Sequence, residues 1–460
     1  MLHTPGTDED AYLAAGRRVV GGEFRFNNRG TRENPITDGD RLALCALLPF
    51  VFGGFSFHWR RQWVFLYNSV QMAVIAETSR LSPIEVTLRR MQTEGRWNGS
   101  FNGRESSLQQ LAPFVGKLKT GIVNNLIETF SRRGDWICDP FSGCGVVPLE
   151  SVLLGRKAKA NDLSPYAICL TRGKLSAPPT IEKAESRCED LLECVERRWR
   201  FHDLRKVDQW VRLFFHPQTL KEILAAFEFC RNRKDWFLAA CLCGILHHQR
   251  PGFLSYPASH MVPYLRTTKF PVDEFPEMYT YRPLAERLRK KVKRAYRRAN
   301  LARTWMECDY EVTSANANAL SFSDNSVDLI LTSPPYYDAL DYARDNRLRL
   351  WFLGQRDWRE LNRCLTKSNS KYEDQMRGCL KEMYRVLKPG KMCILVVGEV
   401  QQNGTTRDTG TVFGRLAHEV TSGAFALDCV VEDSIPDERR SRRGTRTTRT
   451  EKILVLVKTA

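Results

Sequence analysis

The chain has 460 residues, a net charge of +17 and 14 cysteines. That length buries a sizeable core and allows two or three domains, while the excess of Lys and Arg favours a polyanionic partner, most often nucleic acid. The cysteines are scattered and form no paired CxxC modules, which argues against a disulfide framework or a zinc ribbon and for a reducing cytoplasm.

Residues 1–105 read as a poorly defined N-terminal extension. Within it, residues 42–57, "LALCALLPFVFGGFSF", are apolar but too short for a comfortable membrane span, and Pro49, Gly53 and Gly54 interrupt them. A buried hairpin is the expectation there, with no membrane role. Met91 heads "MQTEGRWNGS", so residues 1–90 read as a dispensable extension or an over-long start.

From Leu111 the pattern sharpens. "GIVNNLIETFSRRG" has apolar residues at helical spacing, with Gly134 just past its end. "DWICDPFSGCG" reads as a short buried strand entering a Gly-rich turn. "VVPLESVLLGR" then predicts a helix with Pro148 in its first turn, and "KAKANDLSP" a second strand. With the helix "YAICLTRGKL", this is a βαβα unit of a parallel sheet over 106–178.

Residues 179–305 read as a mostly helical insertion, suited to target recognition. Its helices are "IEKAESRCEDLLECVERRWRF", "LKEILAAFEFCRNRKDWFLAACLCGILHH" and the basic "LAERLRKKVKRAYRRANLAR". Cys241, Cys243, His247 and His248 are metal-ligand types, but their run reads as an apolar core helix and no metal is expected. The loop "HHQRPGFLSYPASHMVPYLR" carries aromatics, His and Arg suited to stacking and phosphate contact. Strands resume with "VDLILTS", then "KMCILVVGEV", "ALDCVVEDSIP" and "EKILVLVK", completing the sheet over 306–460.

In "DPFSGCG", a strand ending in Asp139 meets Phe141, Gly143 and Gly145 before a helix opens. Glycines there let the chain turn tightly and a ligand lie close to the backbone. Asp162 closes the next strand, where an acid accepts hydrogen bonds from ribose hydroxyls. The spacing departs from GxGxxG and lacks a third glycine for a pyrophosphate, so a cofactor without phosphates fits better.

"DPFSGCG" closely resembles the FxGxG signature of S-adenosylmethionine-dependent amino-methyltransferases acting on DNA bases. "TSPPYY" resembles their catalytic (D/N/S)PPY motif, and "FVGKLKTGIVNNLIETF", with Lys117 and Lys119, resembles their upstream motif. The resemblance covers about 111–175 and 310–460. It implies a Rossmann-like class I methyltransferase sheet, S-adenosylmethionine as cofactor, and a pocket lined by Asp139, Phe141, Gly143, Gly145, Asp162 and Asn318. It also implies that any restriction endonuclease partner is a separate chain, since nothing here resembles a nuclease.

An exocyclic amino group is a poor nucleophile because its lone pair is delocalised into the ring. Ser333 and the carbonyl of Pro334 are expected to accept its hydrogens, with Pro334 and Pro335 freezing the turn and Tyr336 stacking on the extruded base. In the family, Ser before PPY goes mainly with cytosine, which implies N4-methylcytosine as product. N6-adenine methylation, RNA base methylation and a non-catalytic DNA-binding role are the alternatives. Between the last strands, "ERRSRRGTRTTRTE" gathers Arg439, Arg440, Arg442, Arg443 and Arg446 on one loop, a costly cluster unless anions neutralise it, and therefore a DNA-backbone contact.

Overall fold

A computed structural model describes residues 81–95, 105–260, 262–299, 301, 305, 308–335, 341–363, 369–398, 400–402, 405–434 and 450–459. Tyr336, residues 42–57 and the arginines at 439, 440, 442, 443 and 446 lie outside the described residues.

A seven-stranded sheet organises them. β1 (Trp136–Asp139), β2 (Lys157–Asn161), β3 (Tyr310–Thr313), β4 (Val327–Thr332) and β5 (Leu387–Gly398) are followed by the small hairpin β6 (Val400–Gln402) and β7 (Thr405–Arg407). β8 (Phe425–Ser434) and β9 (Thr450–Lys458) complete the main sheet, whose order is β3-β2-β1-β4-β5-β9-β8. The first five strands pair in parallel, and β9 joins β5 and β8 antiparallel. This is a Rossmann-like sheet. Its strand order reverses between β1 and β4, and open α/β folds bind ligands at the carboxyl ends of the strands at such a point.

The helices follow from the same sequence logic. They are α1 (Pro83–Thr93), α2 (Thr120–Phe130), α3 (Val146–Leu153), α4 (Pro165–Leu175), α5 (Ile181–Arg198), α6 (Pro217–Arg233), α7 (Trp236–Ile245) and α8 (Leu284–Ala295). After β4 come α9 (Tyr342–Asp345), α10 (Arg347–Phe352), α11 (Asn369–Val386) and α12 (Thr409–Thr421). Alternation along the strands divides the core between two faces. Cys138, Ile330 and Leu395 meet Met383 of α11 and Phe413 of α12, while Ile137, Leu329 and Ile394 join the core of the other helices. β4 is buried at every position, as a central parallel strand should be.

Three features differ from the sequence reading. β3 has no counterpart there, because "YEVT" is a short edge strand, exposed at Tyr310 and Glu311, with no continuous apolar run. The long helix expected across 220–248 breaks at Lys234, which adopts φ +53°, and Asp235 caps the new start by accepting from Leu238 N at 3.0 Å. Residues 83–93 form α1, which packs on β8: Leu88 and Met91 are buried, and Gln92 Nε2 donates to the Glu432 carbonyl at 2.7 Å.

Helices α5 to α8 lie between β2 and β3 in the chain, but they share one core with the sheet. Phe237 and Leu242 belong to the same apolar cluster as Ile137 and Leu329, and Cys241 and Cys243 pack within it. A side chain at Gly173 of α4 would come within 2.7 Å of Ala240 in α7, so the two helices approach closely there. Among the described residues, no helix is long and apolar enough to cross a membrane.

Candidate active site

At the switch point the carboxyl ends of β1 and β4 lie side by side. β1 ends in Asp139 and runs through Pro140–Cys144 to Gly145, which caps α3. Gly143 and Gly145 adopt φ +50° and +74°, the left-handed region that side chains resist. A Cβ on Gly145 would sit 2.9 Å from Thr171 Cα, so the turn also requires close packing against α4. Gly143 N donates to Asp162 Oδ2 at 2.8 Å, and Ser164 N donates to Asp162 Oδ1 at 2.8 Å. The acid after β2 therefore fixes the glycine turn after β1.

Asp139 is 3% exposed. Its Oδ1 accepts from Thr332 Oγ1 at 2.5 Å and from Phe141 N at 3.2 Å. The first bond ties the end of β1 to the end of β4, one residue before Ser333. Burial pushes the Asp139 carboxyl up to about 7, the Asp162 charge adds to this, and the two hydrogen bonds oppose it. Burial also raises Asp162, against the backbone N–H groups that favour its charged form.

A cavity of about 460 Å³ opens above these strand ends. Its wall includes Asp139, Phe141, Gly143 and Asp162 on one side and Ser333 and Pro335 on the other, so both sequence motifs face one space. Lys117, beside Gly116 in the upstream motif, is also in the wall. Lys119 is not: it pairs with Asp433 at 2.7 Å.

Three expected residues lie elsewhere. Gly145 is outside the wall and acts behind it, as the cap of α3. Asn318 packs its Cβ where a side chain at Gly378 of α11 would fall, while Asn316, two residues earlier, lines the cavity. Pro334 is buried beneath the turn and outside the wall, and the Pro335 carbonyl already accepts from Tyr372 OH at 2.9 Å.

Several wall residues carry no sequence signal. Asn161 is fully buried and joins three loops: Nδ2 donates to the carbonyls of Pro140 and Ala315, and Oδ1 accepts from Ala315 N and Thr313 Oγ1. Tyr342 stacks on Phe114 with ring centroids 6.4 Å apart, and Asp341 accepts from Asn362 Nδ2 at 2.8 Å. Tyr342 follows the double proline by seven residues, but only its fold-back onto Phe114 reveals a role.

The basic helix α8 is partly neutralised. Arg289 pairs with Glu189 and Lys293 with Glu185, both on α5, and Lys291 turns inward to the Gln110 carbonyl. It therefore offers a phosphate backbone less free charge than its sequence implies.

Residues 327–460 match the family model for a DNA methylase domain of the N6/N4 type. No curated protein matches the chain. Among solved structures, TrmN from Thermus thermophilus is 12% identical over 77% of this chain and 52% of its own, with a TM-score of 0.31, so the chain spans about half its length. A S-adenosylmethionine-dependent methyltransferase from Methanosarcina mazei is 13% identical over 73% of this chain and 97% of its own, with a TM-score of 0.30. A candidate DNA modification methylase from Thermus thermophilus, solved with S-adenosyl-L-methionine, is 21% identical over 32% of this chain and 54% of its own, with a TM-score of 0.21. The sheet order, rather than these scores, defines the fold.

Proposed function

We propose that the protein is a DNA methyltransferase that uses S-adenosylmethionine to methylate the exocyclic amino group of cytosine, giving N4-methylcytosine within a specific DNA sequence. The observation that carries this reading is the shared cavity: Asp139, Gly143 and Asp162 face Ser333 and Pro335 across one space. The DNA methylase match over 327–460 supports the substrate class.

The residues fit the cofactor. The cavity lies within the range of small-ligand sites. Gly143 keeps the turn free of a Cβ that would press on Phe114 at 3.2 Å, and Asp162 retains lone-pair capacity for a hydroxyl donor beyond the backbone N–H groups it accepts. Asp139 Oδ2 has no partner among the described residues and offers an acceptor to a cationic group. When bound, S-adenosylmethionine supplies an electrophilic methyl group on a sulfonium. Ser333 Oγ accepts an amino hydrogen and directs the nitrogen lone pair into the cavity, while the two prolines hold that hydroxyl still. Tyr336 is assigned to stacking on the base.

The helical segment at 179–305 is assigned to target reading, and Arg439, Arg440, Arg442, Arg443 and Arg446 to the DNA backbone, in a cytoplasmic enzyme. Replacing Arg442 and Arg443 should flatten the salt dependence of DNA binding, and an unchanged slope would remove the clamp. Saturating S-adenosylmethionine should raise the melting temperature of the protein. No shift would favour a non-catalytic DNA-binding protein.

A further inference from the structure

Arg349 of α10 is 1% exposed, and no carboxylate pairs with it among the described residues. Its guanidinium donates instead to three oxygens on three parts of the fold. Nε reaches the Cys243 carbonyl at the end of α7 at 3.3 Å, and Nη2 reaches the His260 carbonyl in the loop after α7 at 3.5 Å. Nη1 reaches Asn346 Oδ1 at 3.2 Å. Asn346, itself in the cavity wall, donates from Nδ2 to the Tyr342 carbonyl at 3.0 Å. The guanidinium also lies over the Tyr166 ring at 5.4 Å, and Tyr166 OH donates to the Pro113 carbonyl next to Phe114.

One buried cation thus touches the supports of both aromatic walls, Phe114 and Tyr342, and the loop at 249–283. That loop presents Arg250, Lys269 and Tyr264, which is 49% exposed, to solvent. It also seats Pro263 on Arg347, beside Arg344 at the cavity. A buried charge is a poor source of stability, since an apolar residue of similar volume often serves as well or better. What Arg349 adds is a planar fork whose donors fix several acceptors at once.

Resting on the methyltransferase reading, we propose that Arg349 is a positioning residue that links the loop at 249–283 to the cofactor walls, so that DNA on the loop and cofactor in the cavity bind cooperatively through it. Coupling of this kind is reciprocal and is measured as a ratio of dissociation constants.

The test titrates S-adenosylhomocysteine by calorimetry into wild-type protein, Arg349→Met and Asn346→Ala, each with and without plasmid DNA. Wild-type protein should bind about fivefold or more tightly with DNA present. Both variants should bind more weakly without DNA, with the DNA-dependent ratio near one. A purely structural role would lower thermal stability and leave that ratio at the wild-type value, which would overturn the proposal, as would a wild-type ratio of one. If Arg349→Met does not fold, Asn346→Ala alone decides, because it removes the amide that joins Arg349 to the Tyr342 carbonyl and leaves the guanidinium's bonds to the Cys243 and His260 carbonyls in place. Wild-type protein that binds no S-adenosylhomocysteine would overturn the methyltransferase reading and this inference with it.

Discussion

Asp139→Asn tests the electrostatics of the site directly. The carboxyl ionises near 3.8 in the unfolded chain and near 7 in the folded protein, chiefly because burial removes its hydration. Between those values the folded state holds a proton that the unfolded state has released. The associated stability is therefore complete below about pH 4 and is lost as pH rises through about 7. At 1.36 kcal/mol per pH unit the full effect is about 4 kcal/mol, of which about 2–3 kcal/mol falls between pH 5 and 8. Asparagine keeps an acceptor for Thr332 Oγ1 and Phe141 N but does not titrate. Urea unfolding across this range should show wild-type stability falling by about 2–3 kcal/mol more than that of the variant. Parallel profiles would refute the assignment of a proton to Asp139. A cationic cofactor group against Oδ2 favours the carboxylate, so cofactor affinity should also rise with pH up to about 7 in the wild type and stay flat in the variant.

Gly145→Ala forces a Cβ to 2.7 Å from Thr171 Oγ1 at φ +74°, and should cost about 1–3 kcal/mol of stability and weaken cofactor binding, as denaturation and calorimetry would show. Ser333→Ala should lower kcat about 10²–10³-fold while leaving the dissociation constant of S-adenosylhomocysteine unchanged. An equal loss in cofactor binding would place Ser333 in the cofactor half instead. Leu88→Ala should destabilise the protein by about 2–5 kcal/mol, because α1 buries that side chain completely. A melting temperature equal to the wild type would show that residues 83–93 are dispensable to the fold.

The motifs that define the site are legible in the sequence because their geometry is local. A strand, a glycine turn and a helix start are neighbours in the chain, and Gly143 and Asp162 are bonded across one βαβ unit that also carries Asp139 at the end of its first strand. The double proline marks the end of β4 in the same way. What the sequence hides is set by contacts distant in the chain. The choice between Asn316 and Asn318 depends on how the loop after β3 leans on Gly378. The partnership of Tyr342 with Phe114 joins residues far apart in the chain. The helices at 179–305 read as separate because their apolar faces are strong, yet those faces are spent on α4 and the sheet rather than on one another alone. The basic run of α8 looks like a phosphate track because Glu185 and Glu189, which pair with two of its cations, lie about a hundred residues earlier.

The proposed reaction is methyl transfer to cytosine at the Ser333 turn. Purified protein incubated with plasmid DNA and isotopically labelled S-adenosylmethionine, followed by nucleoside mass spectrometry, tests it most directly. Label should appear in N4-methylcytosine and be abolished in Ser333→Ala. Label in N6-methyladenine would contradict the choice of base, and unlabelled DNA with a cofactor-binding protein would contradict the reaction itself.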